Sequence, residues 1–225
     1  MFGISLEELP IYLMRIPCIL IALAFHESAH GWMAYKLGDP TARSLGRLSM
    51  NPLKHLDPIG ALMMILVGFG WAKPVPVNAR YFKNPKRDMA LTAIAGPISN
   101  LILGFFGTLL YMIFSNLYIN AVYSGAGSLM QTVLYVLLLF CMVFMSLNIS
   151  LAIFNLIPVP PLDGSRLLFI FLPDKYYFKL MQYERYISLI FMLLLIFDII
   201  TLPLGYAVTA IQNLFIRIWG FLPFL

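Results

Sequence analysis

The 225 residues are 61% hydrophobic and 11% charged, with a formal net charge of +5 and a mean hydropathy of +0.87. A soluble domain carries about 25% charged residues, so this composition excludes an ordinary soluble domain and points to a chain whose main solvent is lipid. Nine of the 15 basic residues lie between Lys36 and Arg87 and four more between Arg166 and Arg185. With no nucleic-acid recognition motif beside them, these clusters read as cytoplasmic loops at a bilayer and not as a nucleic-acid surface. Cys18 and Cys141 each stand inside an apolar run. Two isolated thiols build neither a disulfide framework nor a zinc ribbon, and they read as small packing residues.

In chain order, the first apolar run covers 11–37. Its flank is acidic, with Glu7 and Glu8, where a signal peptide would be basic. It is long enough to cross the hydrocarbon core, which takes about 20 residues. Residues 38–56 form a polar loop. The apolar stretch 58–70 is short, which favours a re-entrant or interfacial segment over a crossing. In 71–77 the alternate Pro74 and Pro76 predict an extended strand. Spans follow over 89–114 and 130–157, separated by a neutral loop at 115–128. Pro158, Pro160 and Pro161 interrupt the chain after the third span. Residues 173–185 are polar and basic, and two further spans are expected over 187–202 and 206–221.

The expected fold is therefore an all-α polytopic membrane protein. It has about five spanning helices, a short re-entrant or interfacial segment and an extended proline-containing strand. The whole of 1–225 reads as one membrane-embedded domain, with a core at about 20–170 and two C-terminal spans at about 187–221. With the basic loops inside, the N-terminus and loop 115–128 lie outside and the C-terminus inside. The scheme closes only if 58–70 does not cross.

The first span carries His26-Glu27-Ser28-Ala29-His30. Residues four apart share one helix face, so both imidazoles can reach one metal ion. Glu27 stands beside the pair, where it can take a proton from a water activated by that metal. Three ionisable groups inside an apolar span are each costly and are a functional hypothesis by default. A catalytic zinc usually takes three protein ligands. Outside the acidic N-terminus the candidates are His55, Asp39, Asp57, Asp88, Asp163, Asp174, Glu184 and Asp198. Asp163 follows the proline-rich break and, in the topology above, lies toward the inner leaflet as His30 does. It reads either as the third ligand or as the cap of a helix beginning at Gly164. Asp198 sits mid-span, with no role beyond pairing with a polar neighbour.

Phe25-His-Glu-Ser-Ala-His30 together with Asn155-x-x-Pro158-x-Pro-x-Leu-Asp163-Gly164 resembles the site-2 protease family of intramembrane zinc proteases. Gly70-Trp-Ala-Lys-Pro-Val-Pro-Val77 and Gly96-Pro97-Ile-Ser-Asn100 match as well. The likeness runs over about 20–170 and is to the short prokaryotic subgroup with neither PDZ nor CBS domains. It implies one zinc ion held by His26, His30 and Asp163, with Glu27 as general base. It also implies cleavage of a membrane-protein substrate in or beside its transmembrane segment, in a prokaryotic cell membrane. Asn155 is associated with substrate handling, and His55 and Asn100 lie in segments similar to the subgroup's, which makes them further candidates for a substrate or oxyanion contact.

A helical substrate must unwind before its amides can be attacked. Pro74 and Pro76 remove donors from one edge of the extended segment, which leaves the edge with Lys73, Val75 and Val77 to pair with it by strand addition; from the residues alone the segment reads equally as an ordinary proline-rich turn. Asn155 or His55 is a candidate donor to the oxyanion, and His55 reads equally as a structural loop residue. Two other classes are open. A catalytically silent zinc-binding membrane scaffold of the same fold would not need Glu27. A transporter would need polar residues through several spans.

Overall fold

The computed structural model describes residues 9–57, 59–60, 73–197 and 199–222. Of the predicted features, segment 58–70 apart from residues 59–60, the start of the extended segment at 71–72, and Asp198 lie outside these residues. The described helices are α1 (Leu9–Lys36), α2 (Thr41–Ser44), α3 (Pro85–Tyr123), α4 (Ser128–Asn155), α5 (Gly164–Phe171), α6 (Asp174–Gln182), α7 (Glu184–Ile196) and α8 (Thr201–Trp219). Residues 73–78 carry no regular secondary structure, and there is no β-strand among the described residues.

Three of these helices, α1, α3 and α4, are long and apolar enough to cross a membrane. At 1.5 Å per residue, 28 residues in α1 and α4 reach about 42 Å, more than the roughly 30 Å of hydrocarbon. The two expected C-terminal spans take a different form. The helix predicted over 187–202 is the 13-residue α7, about 20 Å long and short of a crossing. The other, α8, starts at Thr201 and covers 19 residues.

Local chemistry sets the ends. Helix α1 stops where Gly38 takes φ +109, and the Asp39 N–H folds back on Ala34 O at 2.9 Å. A residue with a Cβ is disfavoured in that conformation. Helix α3 opens on Pro85, whose missing N–H costs nothing at the first helical position. Asp88 in its first turn accepts from Asn84 N–H at 3.0 Å.

Helices α1, α3 and α4 pack side by side, and α8 leans on α4 and α3. Lipid tails are as apolar as leucine, so close van der Waals approach and polar ties hold such helices together. Small residues on α3 permit that approach. A Cβ on Gly104 would stand 2.6 Å from Ile149 Cγ1, and one on Gly107 would stand 3.1 Å from Phe144 Cδ1. Ile149 is fully buried, and Met145, Ile149 and Val208 form the centre of the α4–α8 seam. Trp219 Nε1 donates to Phe105 O at 2.8 Å, tying the end of α8 to α3. The chain direction then brings the C-terminal half of α1, the first turns of α3 and the C-terminal end of α4 to one end of the bundle. That end holds His26, Glu27 and His30 of α1, Thr92 and Asn100 of α3 and Asn148 of α4.

Gly104→Leu is expected to push α3 from α4 and lower stability by about 1–3 kcal/mol, read as thermal unfolding in detergent. Gly127→Ala, where nothing lies within 4 Å, should leave the transition in place; equal effects would contradict the packing account.

Candidate metal centre

Histidines 26 and 30 lie on the face of α1 that meets α3, and both are nearly buried. The Asn100 amide decides the state of the first. Its Nδ2 donates to Ala22 O at 3.1 Å, and a backbone carbonyl can only accept, so the amide cannot be the other way round. Asn100 Oδ1 therefore faces His26 Nδ1 at 2.6 Å, and His26 Nδ1 must carry the proton and donate. His30 Nδ1 likewise donates to Thr92 O at 2.7 Å. With both Nδ1 atoms committed to acceptors on α3, the two Nε2 atoms are left to offer lone pairs in the same direction.

Asp163 completes the convergence. It occupies the N-cap position of α5 but makes no side-chain cap bond; the capping role that its sequence position allowed is not used. Instead Asp163 Oδ2 lies 3.0 Å from His26 Nε2 and 3.2 Å from His30 Nε2, and the two Nε2 atoms are 3.0 Å apart. The fold-back that delivers it is tight. Leu162 N–H donates to Val159 O, Ser165 N–H to Leu162 O, and a Cβ on Gly164 would stand 2.4 Å from Leu156 O. Only glycine lets the chain turn this close under the end of α4.

Three lone-pair atoms this close repel unless positive charge sits among them. Donors at 2.0–2.1 Å from a tetrahedral zinc are about 3.3 Å apart, so the triangle needs to open by only a few tenths of an ångström to take the ion. Two neutral imidazoles and one carboxylate are also a donor set that catalytic zinc accepts. Gly96 forms the floor: a Cβ there would stand 2.3 Å from His30 Nε2 and 2.7 Å from His26 Cε1. The sequence motif around Gly96 therefore has a steric reason, since any side chain would fill the space where the ligand atoms meet.

Glu27 is buried between the metal face and residues 73–78, and its Oε2 accepts the Val75 N–H at 2.8 Å. This corrects the expected free edge. Lys73 N–H is engaged with His55 O at 2.8 Å and Val75 N–H with Glu27, so these two donors are turned into the protein. Asn100 is corrected as well: both its amide hydrogens are used, on Ala22 O and on Asn148 Oδ1 at 2.9 Å, leaving none for a substrate or oxyanion. His55 is fully buried, its Nε2 donates to Ser49 O at 2.6 Å, and it does not join the cluster. Asn155 turns its amide back on Leu151 O at 2.9 Å in its own helix. Sequence reasoning did not identify Thr92 or Asn148. An asparagine inside the apolar run of α4 was the available signal for the latter, while Thr92 acts through its backbone carbonyl, which no side-chain pattern reports.

Asn100→Leu removes the acceptor that holds the His26 tautomer and is expected to weaken zinc affinity 10–100-fold, measured by competition with a chelator in detergent. Gly96→Ala should do the same without altering any polar group. Wild-type affinity in both would contradict this geometry.

Residues 14–197 match peptidase family M50. A Bacillus subtilis (strain 168) protein named "Putative zinc metalloprotease YwhC" is 40% identical over 178 residues, 79% of this chain and 78% of its own. A Mycolicibacterium smegmatis protein named "Putative zinc metalloprotease Rip2" is 26% identical over 167 residues, 71% of this chain and 57% of its own. No solved structure matches. With the family match running through His26, Glu27, His30 and Asp163 and the relative from B. subtilis aligned over most of both chains, the chain belongs to peptidase family M50, the site-2 proteases.

Proposed function

We propose that this protein is a zinc-dependent intramembrane endopeptidase that cleaves membrane proteins in or near a transmembrane segment. The observation that carries the reading is the convergence of His26 Nε2, His30 Nε2 and Asp163 Oδ2 within 3.0–3.2 Å of one another, with the Glu27 carboxylate buried next to them on the same helix. His26, His30 and Asp163 hold the ion, one per chain. Zinc held there would supply Lewis acidity toward the scissile carbonyl and the attacking water. Glu27 accepts the proton of that water as its oxygen adds to the carbonyl carbon, then delivers the proton to the leaving amide nitrogen as the C–N bond breaks.

Burial of the centre limits competing water, and an apolar setting strengthens the electrostatic contacts made there. A groove of about 370 Å³ lined by Phe25, Ser28, Trp32, Met50 and Ser99 runs along the same stretch of α1, which favours an apolar substrate segment arriving from the lipid side. In this reading the centre faces the cytoplasmic leaflet, with the N-terminus outside. Its support is the cluster of basic residues between Lys36 and Arg87, carried by the segments that join α1 to α3 at the end of the bundle where the centre lies.

The test is cleavage of a single-span substrate co-reconstituted in liposomes, with zinc counted in the same samples. Glu27→Ala should retain zinc and lose at least a hundredfold in rate, the scale of general base catalysis. Asp163→Ala should lose both zinc and activity. Equal cleavage by wild type and Glu27→Ala would sink the proposal.

A further inference from the structure

Segment 73–78 is tied to the protein at points along its whole length. Lys73 N–H donates to His55 O at 2.8 Å. Arg47 Nη2 donates to Lys73 O at 2.7 Å and to Pro74 O at 3.2 Å. Asn78 N–H donates to Asp39 Oδ2 at 2.7 Å. Asp39 is fully buried, and its other oxygen accepts the Thr41 N–H at 2.9 Å and the Thr41 hydroxyl. The Val75 side chain stands over α1, where a Cβ on Gly31 would meet Val75 Cγ1 at 3.1 Å.

The prolines give this strap a single purpose at its centre. Pro74 and Pro76 have no N–H, so Val75 is the one backbone donor between Lys73 and Val77. Lys73 and Val75 each precede a proline, which confines both to extended backbone. The lone central donor is thus carried on a stiff segment and meets Glu27 Oε2 at 2.8 Å, with Val75 7% and Glu27 9% exposed.

Resting on the assignment of Glu27 as the base, we propose that the Val75 backbone amide is a positioning donor for Glu27, and that Asp39 and Arg47 are positioning residues that hold the strap delivering it. Glutamate has three side-chain torsions to fix. With Oε2 held by the strap, Oε1 is the oxygen left to receive the proton, and its direction no longer depends on the bound substrate. A misplaced base loses rate without losing substrate, so the signature of this role is in kcat.

The test replaces Val75 with 2-hydroxyisovaleric acid in the full-length protein, exchanging the N–H for an ester oxygen while keeping the isopropyl group. The expected result is a kcat about tenfold lower, the scale of one hydrogen bond to a charged group, with KM and zinc content unchanged. Asp39→Asn and Arg47→Ala should lower kcat in the same direction, with Arg47→Lys recovering part of the loss. A raised KM with kcat unchanged would assign the donor to the substrate, a raised kcat would make the contact a resting lock, and wild-type kinetics would leave it idle; each overturns the proposal. A second measurement is independent of turnover. Labelling with proline carbonyl-13C and valine 15N selects the three Pro-Val amides, at 75, 77 and 159. In the zinc-loaded protein the Val75 amide proton should move on Glu27→Ala while the other two stay, and an unmoved Val75 resonance would refute the contact. A wild-type chain that cleaves nothing would sink the proteolytic reading alone, and the resonance would still decide this one.

Discussion

Two imidazoles on one helix can both turn a lone pair to one metal when each donates its other ring N–H to a fixed acceptor. The rest of this structure depends on that constraint. In lipid or a dry interior a wrong tautomer cannot be corrected by water, so the acceptors must be built in. Here both come from α3, as Thr92 O for His30 and Asn100 Oδ1 for His26. The orientation of Asn100 is in turn set by Ala22 O on α1 and by Asn148 on α4. One chain of hydrogen bonds therefore joins all three spans to the ligand state of His26. The contact of α3 with its neighbours is thereby a condition of metal binding as well as of stability.

That contact must also be close. Gly96 admits the imidazoles and Gly104 admits Ile149, and at both positions a Cβ would overlap an atom already present. The two glycines lie two turns apart on α3. The same close approach that replaces hydrophobic driving force between lipid-exposed helices thus leaves the space in which the three ligand atoms meet. Gly164 performs a related service at the other side of the site, letting Asp163 turn back beneath the end of α4.

Residues 73–78 are where sequence reasoning and structure part most clearly. Alternating prolines read as an edge stripped of donors on one side and free on the other. The parity was right, but the direction in which the remaining donors point was not available from it. Backbone amides seek the nearest strong acceptor, and the nearest to Val75 is a carboxylate 48 residues earlier in the chain. Pairing partners that distant are set by how α1 packs against the loops, which no local pattern encodes. A lone histidine in a polar loop, His55, was as compatible with catalysis as with structure, and in the folded chain its Nε2 bonds Ser49 O away from the three ligand atoms.

Much of this protein was legible from residues alone. Composition placed it in lipid, since 11% charged residues cannot cover a soluble surface. Apolar runs located α1, α3 and α4, because a span must satisfy its backbone internally and so writes its length into the sequence. The four-residue spacing of His26 and His30, with Glu27 between, announced the metal chemistry, since helical periodicity converts that spacing into a shared face. Of the two expected C-terminal spans, the first forms a helix of only 13 residues, because apolar composition reports burial and not the length of the helix that carries it. Asp163 was a candidate with two readings, and only the folded chain leaves its cap bond unmade and brings its carboxylate to the two imidazoles. Thr92, Asn148 and the tie from Val75 to Glu27 were decided by tertiary structure alone. Each depends on atoms brought together across dozens of residues, and backbone donors and acceptors are identical at every position until the fold gives them a direction.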